Sequence, residues 1–114
     1  SFKNLRELEF FIDGYFTDEF KDRGSKMLLS FSDALKELVK LKVLYFQMIT
    51  EVSIDTFPKL YSSIKSLKQL EELTIYIVGD TAVQLYKSIS GLPNLKRLKV
   101  YRFDLPKNTH NTYW

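Results

Sequence analysis

The chain alternates between two hydrophobic periods. Leu8 and Phe10 alternate with Glu7, Glu9 and Phe11, the two-residue period of a half-buried strand within a segment running from Phe2 to Ile12. Asp13-Gly14 breaks that run. Tyr15 to Gly24 is polar and aromatic, carries Asp18, Glu19, Lys21, Asp22 and Arg23, and reads as an inserted loop or a short helical turn. The period then changes. Leu28, Phe31, Leu35 and Leu38 are spaced 3, 4 and 3, one stripe of a helix over 25–38, with Ser25 as its candidate cap. Lys40 to Ile49 returns to strand character through Leu44 and Phe46. Asp55, Thr56 and Pro58 mark the start of a second helix, continued by Leu60, Ile64 and Leu67. Glu72 to Val78, rich in Ile, Thr, Tyr and Val, is a third strand. Thr81 to Gln84 has the form of a capping box, and Ala82, Leu85, Ile89 and Leu92 give a third helical stripe ended by Gly91 and Pro93. Arg97 to Phe103 is a fourth strand, broken at Leu105-Pro106. Lys107 to Trp114 has no periodicity and reads as a tail.

Four of these segments share one phrase, Leu-x-x-Leu-x-apolar. It occurs at Leu5-Leu8-Phe10, Leu41-Leu44-Phe46, Leu70-Leu73-Ile75 and Leu95-Leu98-Val100. The first leucines are offset by 36, 29 and 25 residues, the spacing of stacked repeats. Strands joined by helical crossovers pair in parallel, and nearly all such crossovers are right-handed. No unit can hide both its strand face and its helix stripe, so neighbours must cover them. Strands lie about 4.8 Å apart, whereas a helix with its side chains is about 10 Å wide. The stack therefore bends, with strands on the concave side and helices on the convex side.

The phrase and its lead-in, Leu38-x-x-Leu41-x-x-Leu44, Leu67-x-x-Leu70-x-x-Leu73 and Leu92-x-x-Leu95-x-x-Leu98, resemble leucine-rich repeats, nearest the long-repeat type of ribonuclease inhibitor. The resemblance implies an α/β, right-handed solenoid of about four units over 1–105, with four parallel strands on its concave side and a tail over 106–114. The array is irregular in spacing. Where that family usually carries Asn or Cys three positions beyond the last strand leucine, this chain has Asp13, Ile49, Val78 and Phe103. The rival fold, an open nucleotide-binding sheet, requires a glycine-rich first turn, which Asp13-Gly14-Tyr15 does not provide.

Composition narrows the function classes. The chain has 114 residues, enough for one domain or part of one, and 45% are hydrophobic, which excludes disorder. It has no cysteine, so a disulfide framework and a thiolate metal site are excluded, and an intracellular location, cytoplasmic or nuclear, is expected. No apolar run approaches a membrane span, and no signal peptide opens the sequence. The net charge of +3 is spread without any block of like charges. His110 lies in the tail, where a catalytic triad has no rigid support. Asp18, Glu19 and Asp22 lack the Asp-x-Asp-x-Asp-Gly pattern of a calcium loop. Gly79-Asp80-Thr81 offers one glycine, a poor phosphate cradle, and Thr81 reads better as a cap. The adjacent carboxylates Glu71 and Glu72 are not placed for paired acid and base work. No enzyme activity, cofactor, metal site or small-molecule substrate is expected.

The outward strand positions carry what function can be read. With leucine and its partner apolar residue inward, Glu7, Glu9 and Phe11 point outward on the first strand, and Val43, Tyr45 and Gln47 on the second. Glu72, Thr74 and Tyr76 follow on the third, and Arg97, Lys99 and Tyr101 on the fourth. Charge runs from acidic to basic across this face, with aromatic residues among the charges. Such a face suits a protein partner bound on the strands. Two alternatives stand beside it: RNA or ribonucleoprotein binding through Arg97, Lys99, Tyr76 and Tyr101, and a purely structural role in a longer array, with the aromatic residues there for strand formation alone.

Overall fold

A computed structural model of the chain describes residues 2–13, 18–49, 52–78, 89 and 91–103. A 3-10 turn at Phe2–Asn4 leads into β1 (Glu7–Asp13), followed by α1 (Asp18–Leu35), β2 (Val43–Ile49), a second 3-10 turn at Ile54–Thr56, α2 (Phe57–Lys65), β3 (Glu72–Val78) and β4 (Arg97–Phe103). The strands form one sheet in the order β1-β2-β3-β4, and all three pairings are parallel. The fold is therefore α/β, as the alternation of periods requires. The third helical stripe, Thr81 to Leu92, lies outside the described residues apart from Ile89, which is helical and fully buried, the exposed turn residue Gly91 and the buried Leu92. The tail from Lys107 also lies outside them. Among the described residues, no helix is long and apolar enough to cross a membrane.

The leucine phrase explains how each helix is joined to its strand. Leu38 N–H donates to the Leu35 carbonyl and Leu41 N–H to that of Leu38, both at 3.0 Å. The same two turns recur as Leu67 to Ile64 and Leu70 to Leu67, and again as Leu92 to Ile89 and Leu95 to Leu92. Three-residue turns bring the leucines to one side, and Leu38, Leu41, Leu67, Leu70 and Leu92 are all buried. At each strand entry one carbonyl accepts two N–H groups of the next connection. Arg6 accepts from Lys42 and Val43, Lys42 from Glu71 and Glu72, and Glu71 from Lys96 and Arg97, each pair at 2.8 and 3.0 Å. These bonds pin the register before the ladder begins, so Leu8, Leu44, Leu73 and Leu98 lie side by side.

The core lies between the sheet and the helices. Leu44, Phe46, Leu73 and Ile75 of the central strands are no more than 1% exposed, whereas Leu8 and Phe10 on β1 and Leu98 and Val100 on β4 are half-buried. Phe10, Phe31 and Phe46 stack, with ring centroids 3.8, 5.4 and 5.8 Å apart.

The segment read as a loop or short turn, Tyr15 to Gly24, is corrected from Asp18 onward: α1 starts there and ends at Leu35. Residues 14–17 are outside the described set. Asp18 and Glu19 in the first turn favour the positive helix terminus, and Glu19–Arg23 (2.8 Å) and Asp22–Lys26 (3.2 Å) pair one turn apart. The buried stripe there is made of small residues, Gly24 and Ser25, which carry no hydrophobic signal. Ser25 is accordingly not a cap. Its hydroxyl donates to the Lys21 carbonyl at 2.6 Å and accepts from Ser53 N–H at 2.7 Å, tying α1 to the connection after β2. Ser63 on α2 donates to the Ser32 carbonyl of α1 at 2.7 Å, and the Ser32 hydroxyl to Leu28 at 2.8 Å. Small hydroxyl residues thus let the two helices approach with each buried side-chain oxygen satisfied. Thr56 precedes α2 without a side-chain cap bond, and its hydroxyl donates to Ser53 instead.

Tyr61 on α2 gives the fold a measurable alkaline limit. Its ring leans on Phe57, and burial pushes its hydroxyl up to about 12. A raised pKa means that the folded chain holds this proton more tightly than the unfolded chain. The associated stability is whole below pH 10 and is lost as pH rises from 10 through 12. Half-exposure reduces the effect to about 1 kcal/mol. Urea titrations at pH 9 and 11.5 should show that loss, and it should be smaller in Tyr61→Phe. An equal loss in both proteins would disprove the assignment.

Candidate functional site

The outward face of the sheet is assembled by register. Glu7, Val43, Glu72 and Arg97 form one row across the four strands; Glu9, Tyr45, Thr74 and Lys99 form the next; Phe11, Gln47, Tyr76 and Tyr101 form the third. Period-two alternation explains the division. Inward neighbours are buried or half-buried, whereas Glu7, Glu9, Phe11, Arg97, Lys99 and Tyr101 are exposed and the six central residues are half-buried. All eleven candidates, together with Val43, therefore lie on one face. Phe11 and Tyr101, at 49% and 43%, are among the large hydrophobic side chains that the fold leaves exposed.

The rings make an unbroken line. Phe11 meets Tyr45 at 5.5 Å between centroids, Tyr45 meets Tyr76 at 5.7 Å, and Tyr76 stacks on Tyr101 at 4.4 Å with 15° between planes. Tyr45 enters this line from the row below, so the third row is not itself the aromatic chain; Gln47 fills the gap. The Tyr45 hydroxyl donates to Gln47 Oε1 at 3.1 Å, and Gln47 Nε2 donates to Asp13 Oδ1 at 3.5 Å. Burial, with the Tyr76 phenol next to it and Glu9 nearby, pushes the Tyr45 hydroxyl pKa above its ordinary value. Both rings present flat surfaces edged by a hydroxyl. Adjacent rings support one another, which restricts their rotamers.

The charges sort by row. Glu71, one position before β3, sits between Lys42 at 3.7 Å and Lys96 at 3.5 Å, and Glu72 pairs with Arg97. These pairs neutralise the lower part of β3 and β4, and they assign the two adjacent carboxylates to neighbouring cations rather than to each other. Glu9 and Lys99 make no ion pair among the described residues. Asp13, exposed at the end of β1, belongs to this face, though the sequence reading did not count it among the outward positions. The signal was available, since Asp13 continues the two-residue alternation one step beyond Phe11.

Other candidates are placed apart from this face. Asp18, Glu19 and Asp22 lie on the exposed side of α1, and the last two are in ion pairs one helical turn long. Gly79, Asp80, Thr81 and His110 lie outside the described residues. Among the described residues, no three metal-ligating side chains gather. A concavity of about 570 Å³ opens beside β1, lined mainly by Leu5, Leu8, Phe10, Phe31, Leu35 and Leu38. It is the uncovered inner side of the first strand, and no set of polar groups converges on it to orient a small molecule.

Comparison of the chain with protein-family models, with curated proteins and with solved structures gives no match.

Proposed function

We propose that the chain is an irregular leucine-rich-repeat solenoid, non-enzymatic, that binds a protein partner on the outward face of its sheet. The observation that carries the reading is the continuous line Phe11, Tyr45, Tyr76 and Tyr101, which crosses all four strands. Exposed aromatic residues occur singly on many surfaces; a connected line of four, with charges beside it, has the composition of an interface centre with a polar rim. The repeat reading is supported by the three identical strand entries and leucine turns. In it, 1–105 form the array, 106–114 the tail, and the wider helix layer bends the stack so that the strands line the hollow side.

RNA is the second reading, because Tyr76 and Tyr101 stack next to Lys99 and Arg97. Glu72 already neutralises Arg97, and Glu7, Glu9 and Asp13 share the face, so the balance of charge favours protein. Two measurements test this. Immobilised chain should retain a defined protein from extract, identified by mass spectrometry, and the Tyr76→Ala/Tyr101→Ala protein should not. Binding of a fluorescent poly-uridine 20-mer should be weak at 50 mM salt. Tight binding that falls steeply by 200 mM would move the assignment to nucleic acid.

A further inference from the structure

The outward face has a property that a generic binding surface does not need: its two outer strands carry opposite charges at matching levels. Read up the sheet in register, β1 offers Glu7, Glu9 and Phe11 where β4 offers Arg97, Lys99 and Tyr101. The two outer strands thus present acid, acid, ring and base, base, ring at the same three levels. We propose that the occupant of this face is a second copy of the chain, packed face to face about a two-fold axis parallel to the strands. The proposal rests on the reading of this face as the binding surface, and it names the partner.

The geometry follows from symmetry. A two-fold axis along the strands turns one face over onto the other, keeps strand direction and reverses strand order. β1 then lies over the second copy's β4, and β2 over its β3. Glu7 meets the second copy's Arg97 beside the Glu72 that already pairs with it, Glu9 meets the unpaired Lys99 and Phe11 meets Tyr101, and every contact is made twice. In the middle, Tyr45 opposes Thr74 and Gln47 opposes Tyr76. A two-fold axis across the strands would lay β1 on β1 and β4 on β4, acids on acids and bases on bases. The charges select the first axis and reject the second. Arg6 and Lys96, one position ahead of the strands, are like charges, so the contact stops at Glu7 and Arg97.

The exposed pair Glu9 and Lys99 suits this role. Neither has an acid or base to satisfy it within the described chain, and each sits where a second copy would supply one. The bend expected of the stack sets the outer strands forward, so the two margins meet first and the central tyrosines occupy the space between. Four strands of seven residues present roughly 400 Å² per copy, from strand spacing and rise. A standard interface buries about 800 Å² on each partner. The dimer is therefore weak and reversible, and single charges decide its strength.

The test is a charge swap read by sedimentation equilibrium at 50 mM salt, from micromolar to millimolar protein, with circular dichroism to establish that each variant folds. The wild-type chain should form a concentration-dependent dimer. Glu9→Lys alone and Lys99→Glu alone should each weaken it by about tenfold or more, because each substitution creates two like-charge contacts. The double variant Glu9→Lys/Lys99→Glu should return to within about threefold of wild type. An equimolar mixture of the two single variants should form the heterodimer. A wild-type chain that stays monomeric, single variants that dimerise normally, or a double variant that is not rescued would each overturn the proposal. Loss of a captured protein on Tyr76→Ala/Tyr101→Ala, with a monomeric wild type, would leave the face as a binding surface with a different occupant. No effect of the tyrosine substitutions on capture or on dimerisation would remove the binding reading itself.

Discussion

Phe46→Ala is expected to destabilise the chain by about 3–5 kcal/mol, while Phe11→Ala changes stability by no more than about 0.5 kcal/mol. Phe46 is fully buried at the centre of β2, flanked in register by Phe10 and Ile75. Its ring stacks on Phe10 and on Phe31 of α1, so it joins two strands and a helix. Truncation removes the transfer energy of the ring and leaves a cavity that a sheet held by two ladders cannot collapse into. Domains of this size have about 5–15 kcal/mol in total, so the loss is a large part of the whole. The midpoint of thermal unfolding should fall by roughly 12–20 °C. Phe11 is a ring of the same kind on the neighbouring strand, but it is 49% exposed and on the other face. The contrast tests the alternation of faces directly. Urea unfolding with an unchanged m-value is the measurement, and similar losses for the two variants would refute the assignment of sides.

That alternation was the most legible part of the sequence. β3 and β4 run over Glu72–Val78 and Arg97–Phe103, as the strand periods require, because each is bounded by a polar entry and a period-two core. Parallel pairing followed from the helices between strands, and register from the leucine phrase, since the four inward leucines must align for their faces to be covered. The outward rows were legible for the same reason. The start of α1 was not. Hydrophobic spacing sees Leu28, Phe31 and Leu35, but the first turns bury Gly24 and Ser25, and Ser25 serves there by bonding the connection after β2 rather than by apolar area. The acidic first turn and the Glu19–Arg23 and Asp22–Lys26 spacings did hold the information. The diagonal contact of Tyr45 with Phe11 and Tyr76 was also beyond reach, because side-chain lean, not register, sets which rings touch.

Tyr76→Ala is expected to weaken binding on the outward face by about 30-fold or more with little change in stability, the behaviour of a hot-spot residue. Tyr76 is the link between the two halves of the aromatic line, touching Tyr45 on one side and Tyr101 on the other. Its removal leaves Tyr101 without its stacking partner and Tyr45 with one neighbour instead of two, so two further rings lose preorganisation for one substitution. Thr74→Ala, on the same strand and face but outside the line, should weaken binding by less than threefold. A readout independent of the partner is available. The Tyr76–Tyr101 pair, 4.4 Å apart and nearly parallel, should couple in the near-ultraviolet circular dichroism. Tyr76→Ala should then remove more signal than the loss of one isolated tyrosine, and more than Tyr61→Phe. If binding falls equally in Tyr76→Ala and Thr74→Ala, the face acts through area and charge, and the rings are there only because aromatic residues suit strands. If the dichroism changes as expected and binding does not, the stack is real but is not where the partner docks.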